Sequence, residues 1–158
     1  MSVIRHLSLK RYLLSGLRRY LYAVGMNVLP FSSMRVWLLR LTGVRIGNGC
    51  YIGFNVIPDT NYPELVCIED NVTISHNCLL VTHTQSPVKT KLSEFYNLAA
   101  SIVIRDGAWI GIGVTILPGV SILPNCFIGA GSVLTKSTDN SFSLYAGSPA
   151  RFIKRISD

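Results

Sequence analysis

Isoleucine stands at positions 46, 52, 68, 74, 104, 110, 116, 122 and 128, in three runs with a step of six residues. A fixed short period of this kind decides architecture before any local propensity is weighed. Three residues after each isoleucine comes Gly49, Asn55, Asn71, Asn77, Gly107, Gly113, Gly119, Asn125 or Gly131. Gly and Asn enter the left-handed backbone region at least cost, so this column predicts a sharp corner every six residues. The next column is Cys50, Val56, Val72, Cys78, Ala108, Val114, Val120, Cys126 and Ser132, all of them small. Small side chains fit where a polygon narrows, and β-branched isoleucines fit an interior column stacked at the inter-strand spacing of about 4.8 Å. Leu80 and Leu134 continue the series as degenerate starts. The prediction is an all-β, polygonal coil of short strands, with Cys50, Cys78 and Cys126 as packing residues and Cys67 unexplained.

The rest of the composition narrows the class. The chain has 158 residues, 49% of them hydrophobic and 15% charged, which suits one core rather than two. Its net charge of +7 is unevenly spread. Arg5, Lys10, Arg11, Arg18, Arg19, Arg35, Arg40 and Arg45 precede the first carboxylate, Asp59, so residues 1–45 carry +8 and the remainder −1. A basic arm on a near-neutral body argues against a general nucleic-acid binder. Arginines, Asn27 and Pro30 interrupt every candidate for the roughly 20 apolar residues of a spanning helix, and no signal peptide is evident, so a cytoplasmic protein is expected. The four cysteines lack zinc-ligand spacing and imply no disulfide framework.

Two interruptions break the six-residue register. Residues 58–67, PDTNYPELVC, restart it at Ile68; the second break, about 84–101, is long and polar, with Gln85, Lys89, Lys91 and Glu94. Loops of that size in a small domain are more often functional than plain connections. His83 stands at the base of the second break. Counted from Leu80 it falls in the corner column, which predicts an imidazole projecting outward from an edge. His76, next to Asn77, reads as a surface or packing residue, and His6 belongs to the arm.

The columns, together with AWIGIGVTILPGVSI, IGAGSVLTK and AGSPARFIK, resemble the hexapeptide-repeat acyltransferases over about residues 44–156. The resemblance implies a left-handed parallel β-helix of three hexads per coil. It implies an acetyl-coenzyme-A-dependent O-acetyltransferase with no metal requirement, an active site between subunits of a homotrimer, and a catalytic histidine at His83, in the VTH ahead of the long loop. A positioned imidazole titrating near neutrality can take a hydroxyl proton as attack develops, typically for about 10²–10⁴-fold. The same resemblance places an oxyanion donor at the backbone of Ile112 or Gly113. It puts coenzyme A against Trp109, Gly111, Gly113, Ala130, Thr135, Lys136, Pro149, Arg151 and Lys154, the basic ones suited to phosphate. Asp59 and Asn61 in the first break, with Tyr51, are the acceptor candidates; Asp59 would hold either the histidine or a sugar hydroxyl.

The expected organisation is an arm over 1–43, the β-helix over 44–139 with its loop, and a tail over 140–158 contributing to the coenzyme A site. Val3, Leu7, Leu14, Leu17, Leu21 and Val24 fall on one stripe of a helix over 3–24, with Lys10 snorkelling, and a second helix over about 33–41 starts on a serine cap and stops at Gly43. Two uses of the arm are compatible: capping the open end of the solenoid, or contact with anionic lipid. Similar enzymes with basic N-terminal helices often acetylate capsule, lipopolysaccharide or exopolysaccharide precursors at the inner membrane face. Free sugars and antibiotics are the alternative acceptors, and a non-catalytic scaffold is a more distant reading. A metal-dependent carbonic anhydrase on the same fold needs three histidine ligands, and only His76 and His83 lie in the repeats.

Overall fold

The computed structural model describes residues 2–3, 9–84, 91 and 98–156. The repeats form a left-handed parallel β-helix of three faces. The first face stacks β2 (Arg45–Ile46), β5 (Val66–Ile68), β10 (Ile102–Ile104) and β13 (Ser121–Ile122). The second stacks β3 (Tyr51–Ile52), β6 (Thr73–Ile74), β11 (Trp109–Ile110) and β14 (Phe127–Ile128), and the third β4 (Ile57–Pro58), β7 (Leu79–Leu80), β12 (Thr115–Ile116) and β15 (Val133–Leu134). A final pair, β16 (Ser143–Gly147) and antiparallel β17 (Ala150–Arg155), extends the second face.

Each column has its expected cause. All nine corner residues have φ between 52° and 83°. The isoleucines stack in register, Ile52 on Ile74 on Ile110 on Ile128, and the seven from Ile52 through Ile128, Ile68 excepted, are fully buried. Burying each contributes roughly 1.5–3 kcal/mol. The small column is buried too, apart from half-buried Cys50. Burial pushes the thiols of Cys50, Cys78 and Cys126 up in pKa, and the last two donate to the carbonyls of Gly111 (3.2 Å) and Asn140 (3.0 Å), which confirms packing roles.

The arm contains α1 (Leu9–Val28) and α2 (Ser32–Thr42), which stops at Gly43 in the left-handed conformation as expected. Its other details differ from expectation. Val3 belongs to β1 (Ser2–Val3), paired antiparallel with β9 (Leu98–Ala99), and α2 has no serine side-chain cap because the Ser32 hydroxyl accepts instead from the Ile52 amide at 2.8 Å. The expected apolar stripe of α1 is not its buried side: Ser15, Tyr22 and Met26 pack inward, whereas Leu14, Leu17 and Val24 are exposed. The arm caps the first coil with arginines. Arg35 Nε donates to the Ile52 carbonyl at 2.9 Å, Arg40 Nε to that of Ile46 at 3.1 Å, and Arg18 Nη1 to that of Thr60 at 3.3 Å. An open sheet edge presents unpaired carbonyls, and guanidinium groups satisfy them there.

Candidate active site

The two breaks in the repeat leave from one edge. Pro58 pairs with Leu80 on the third face and so occupies a start position. Asn61 and His83 therefore stand three residues past equivalent starts, in successive coils, at the corner between third and first faces. The corner between second and third faces holds the matching pair Asn55 and Asn77, whose side chains bond at 2.9 Å. At the His83 corner the ladder runs from Asn61 Nδ2 to His83 Nε2 at 3.1 Å.

Neither Asn61 nor His83 has the positive φ of a corner residue. His83 opens β8 (His83–Thr84), paired antiparallel with β9, and its side chain is 18% exposed, so it does not project freely outward as the column count predicts. The physical reason is Asp59, buried at 8% exposure. Asp59 Oδ1 accepts from the amides of Asn61 (2.8 Å) and Tyr62 (3.3 Å), and Oδ2 accepts from the Thr82 amide (3.1 Å) and from His83 Nδ1. Burial alone would raise the Asp59 pKa, but the His83 and Asn61 hydrogen bonds, the neighbouring imidazole and Thr82 outweigh it and hold the carboxyl below the usual carboxylate range.

An ionised carboxylate only accepts, so the His83 proton facing Asp59 sits on Nδ1, and with the Asn61 amide nitrogen facing it Nε2 is the acceptor of that contact. Tyr62 packs edge-on against the imidazole at 5.3 Å between centroids. Nothing in the sequence singled out Tyr62. The arrangement is a base of fixed tautomer and orientation, whose lone pair is covered by one amide. Asn61 Oδ1 is buried with no hydrogen-bond partner among the described residues. Beside His83 lies a cavity of about 230 Å³ walled by Ile57, Pro58, Asp59, Thr60, Leu79, Leu80 and Val81.

The remaining candidates lie elsewhere. Trp109 is half exposed on the second face, 4.6 Å from the Phe127 ring, with Nε1 3.4 Å from Ser75 Oγ. Ile112 and Ala130 are exposed at the corner between second and third faces, tied by the Gly131 amide donating to the Ile112 carbonyl at 2.8 Å. Gly111 has a packing reason, since a Cβ there would stand 2.6 Å from the Ile128 carbonyl oxygen. The Gly113 amide donates to the His76 carbonyl at 2.9 Å, so it is committed to the coil and is not an oxyanion donor. Tyr51 is on the second face, two rungs from Trp109, and is not brought to Asp59 and Asn61.

Lys136 and Arg151 share a cavity of about 320 Å³ with Asp139, Tyr145 and Phe152, next to exposed Thr135. Pro149, in the turn between β16 and β17, and Lys154 are exposed and do not line it. Gln85, Lys89 and Glu94 fall outside the described residues, as does the side chain of His6; Lys91 is exposed.

Residues 101–136 match the family model described as bacterial transferase hexapeptide (six repeats). The repeats are those of the hexapeptide-repeat transferases. The chain is 38% identical over 120 residues to the galactoside O-acetyltransferase of Escherichia coli, an alignment covering 74% of this chain and 56% of that protein. It is 35% identical over 119 residues to the galactoside O-acetyltransferase of Lactococcus lactis, covering 73% and 54%. The chain thus spans little more than half the length of these relatives. Among solved structures, the hexapeptide-repeat acetyltransferase of Vibrio cholerae superposes with a TM-score of 0.77 at 24% identity, covering 97% of this chain and 96% of that one. The maltose O-acetyltransferase of Clostridium difficile gives 0.69 at 25% identity, covering 96% and 90%.

Proposed function

We propose that this protein transfers the acetyl group of acetyl-coenzyme A to a hydroxyl of a sugar, with His83 as general base. The observation that carries the reading is the Asp59–His83–Asn61 arrangement, which leaves Nε2 as the only basic imidazole nitrogen and covers it with a displaceable amide. The acetyltransferase names of its relatives support the reaction class. The acceptor hydroxyl takes the place of Asn61 Nδ2 and gives its proton to Nε2 as its oxygen attacks the thioester carbonyl. The C–S bond then breaks, and the departing thiolate takes that proton back from Nε2. Asp59 stays ionised and stabilises the imidazolium formed between the two steps. Asn61 Oδ1 is an acceptor with no donor among the described residues, which suits a sugar hydroxyl.

The oxyanion donor in this reading is the Ile112 amide, because the Gly113 amide is engaged. Within one chain, Ile112 and Trp109 are separated from His83 by the width of the third face, on the order of 15 Å. The site is therefore completed by a second copy, whose corner between second and third faces meets the His83 corner of the first, as in a cyclic homotrimer. Coenzyme A runs along Trp109, Gly111, Ile112 and Ala130 towards Lys136 and Arg151, whose cations face its phosphates, with Thr135, Pro149 and Lys154 at the rim. The acceptor is read as a polysaccharide precursor assembled at the inner membrane face, so that the enzyme works in the cytoplasm. The names of the relatives favour a free galactoside as the second reading. Coenzyme A release with a panel of free glycosides and lipid-linked sugar precursors tests both: release with no sugar of either kind overturns the assignment, and release with free glycosides alone selects the second.

A further inference from the structure

Capping explains only the inner sides of the two helices. On α1 the inner side is Ser15, Tyr22 and Met26. The residues Leu13, Leu17, Tyr20, Val24 and Val28 follow one another at steps of three or four along the opposite side, and are 64%, 55%, 67%, 43% and 69% exposed. On α2, Arg35, Val36, Leu38 and Leu39 are buried, while Met34, Trp37 and Leu41 form a second exposed apolar row. Neither outward row contributes to the cap.

These rows stand on a segment with no carboxylate before Asp59 and with eight cations by Arg45. Arg40 donates to neutral carbonyl oxygens and has no carboxylate partner among the described residues, and the side chains of Arg19, Arg40 and Arg45 are exposed, whereas Arg35 is buried over the Phe54 ring. Among the described residues no helix is long and apolar enough to cross a membrane. An apolar helix face on a cationic element is complementary to an anionic lipid surface, on which such a helix lies in the plane of the interface. We propose that the outward row of α1 docks this protein on an anionic bilayer, with the α2 row as a second contact. The inference rests on the reading of the acceptor as a membrane-assembled precursor and deepens it. Arg18 and Arg19 of the same helix reach Thr60, between Asp59 and Asn61, so the docking helix is joined by side chains to the His83 corner.

The test is co-sedimentation of the full chain with phosphatidylcholine vesicles, with and without phosphatidylglycerol, comparing wild type with Leu17→Glu/Val24→Glu. Both positions are exposed and outside the catalytic corner. Wild type should bind the anionic vesicles, more weakly at high salt, and the double variant should bind at least about tenfold less. Binding unchanged in the variant, or no wild-type binding, overturns the proposal. So does a wild-type assembly that the variant breaks into smaller species in sedimentation velocity, which would mean a second copy covers the row. Coenzyme A release on the panel of free glycosides and lipid-linked precursors, measured in parallel, separates the two readings: vesicle binding without release from any acceptor leaves docking standing and removes acetyl transfer, and release without vesicle binding does the reverse.

Discussion

Replacing Asp59 by Asn exchanges one carboxylate oxygen for an NH₂ group at a site where every neighbour is a donor. Four N–H groups converge on the two oxygens of Asp59. If the Asn oxygen faces Thr82 and His83, the Asn61 and Tyr62 amides are left buried without an acceptor. Each such loss costs about 1–3 kcal/mol, or roughly 2–6 kcal/mol in all, equivalent to a fall in Tm of about 4–24 °C for a chain of this length. If the Asn oxygen faces Asn61 and Tyr62, its NH₂ group confronts His83 Nδ1 and forces the proton to Nε2, which removes the base. The expected rate loss is then about 10²–10⁴-fold. In either orientation at least one buried N–H loses its acceptor and the carboxylate charge that stabilises the imidazolium is gone, so Asp59→Asn is predicted to lower kcat by at least about 100-fold and to lower Tm, measured by coenzyme A release and thermal melting. The stability difference should depend on pH. The folded carboxyl titrates below its ordinary value near 3.9, so its contribution is present above that value and is lost as pH falls through the lower folded value. Wild type and variant should converge in Tm only at pH below about 4. An Asp59→Asn protein with kcat within about threefold of wild type would refute this reasoning, since general-base catalysis of the expected size could not survive it.

Three other outcomes are expected. Asn61→Ala should raise the acceptor KM by about five- to tenfold through loss of a hydrogen bond, with little change in Tm because an Oδ1 that has no partner among the described residues is removed with it; steady-state kinetics and melting check both. Lys136→Ala and Arg151→Ala should each raise the KM for acetyl-coenzyme A by about tenfold and leave kcat near wild type, as expected for charge-assisted contacts made before and during transfer. Unfolding and refolding an equimolar mixture of His83→Ala and Trp109→Ala subunits should restore about one quarter of the sites if each site draws on two copies. Activity no higher than that of the two variants alone would place the whole site in one chain.

The sequence carried the scaffold almost completely because each column has one physical cause. Positive φ selects Gly or Asn, the narrow corner selects small residues, and the interior selects isoleucine, so all nine corners could be counted off before any coordinates. Pro58 was not recognisable as a start, because proline is a poor strand residue and sits at the first break. Without it, the shared edge of Asn61 and His83 stayed hidden, and the choice for Asp59 between the histidine and a sugar hydroxyl stayed open. His83 was expected to point outward because the corner column was read as geometry alone; the buried carboxylate that draws it in is a tertiary contact. The arm misled in a similar way. Its apolar stripe suggested the buried side, whereas the first coil needed donors for its open carbonyls and took the arginine-bearing side instead. The commitment of the Gly113 amide follows from coil-to-coil bonding, which no sequence column marks.

The central claim is that His83 Nε2 removes the proton of a sugar hydroxyl during acetyl transfer. It is tested most directly by incubating wild type and His83→Ala with acetyl-coenzyme A and a glycoside, and following coenzyme A release together with O-acetylated sugar by mass spectrometry. The account predicts equal amounts of the two products from wild type. From a folded His83→Ala protein that still binds acetyl-coenzyme A, it predicts a loss of at least about 100-fold. A folded His83→Ala variant that forms O-acetyl sugar at the wild-type rate would contradict it.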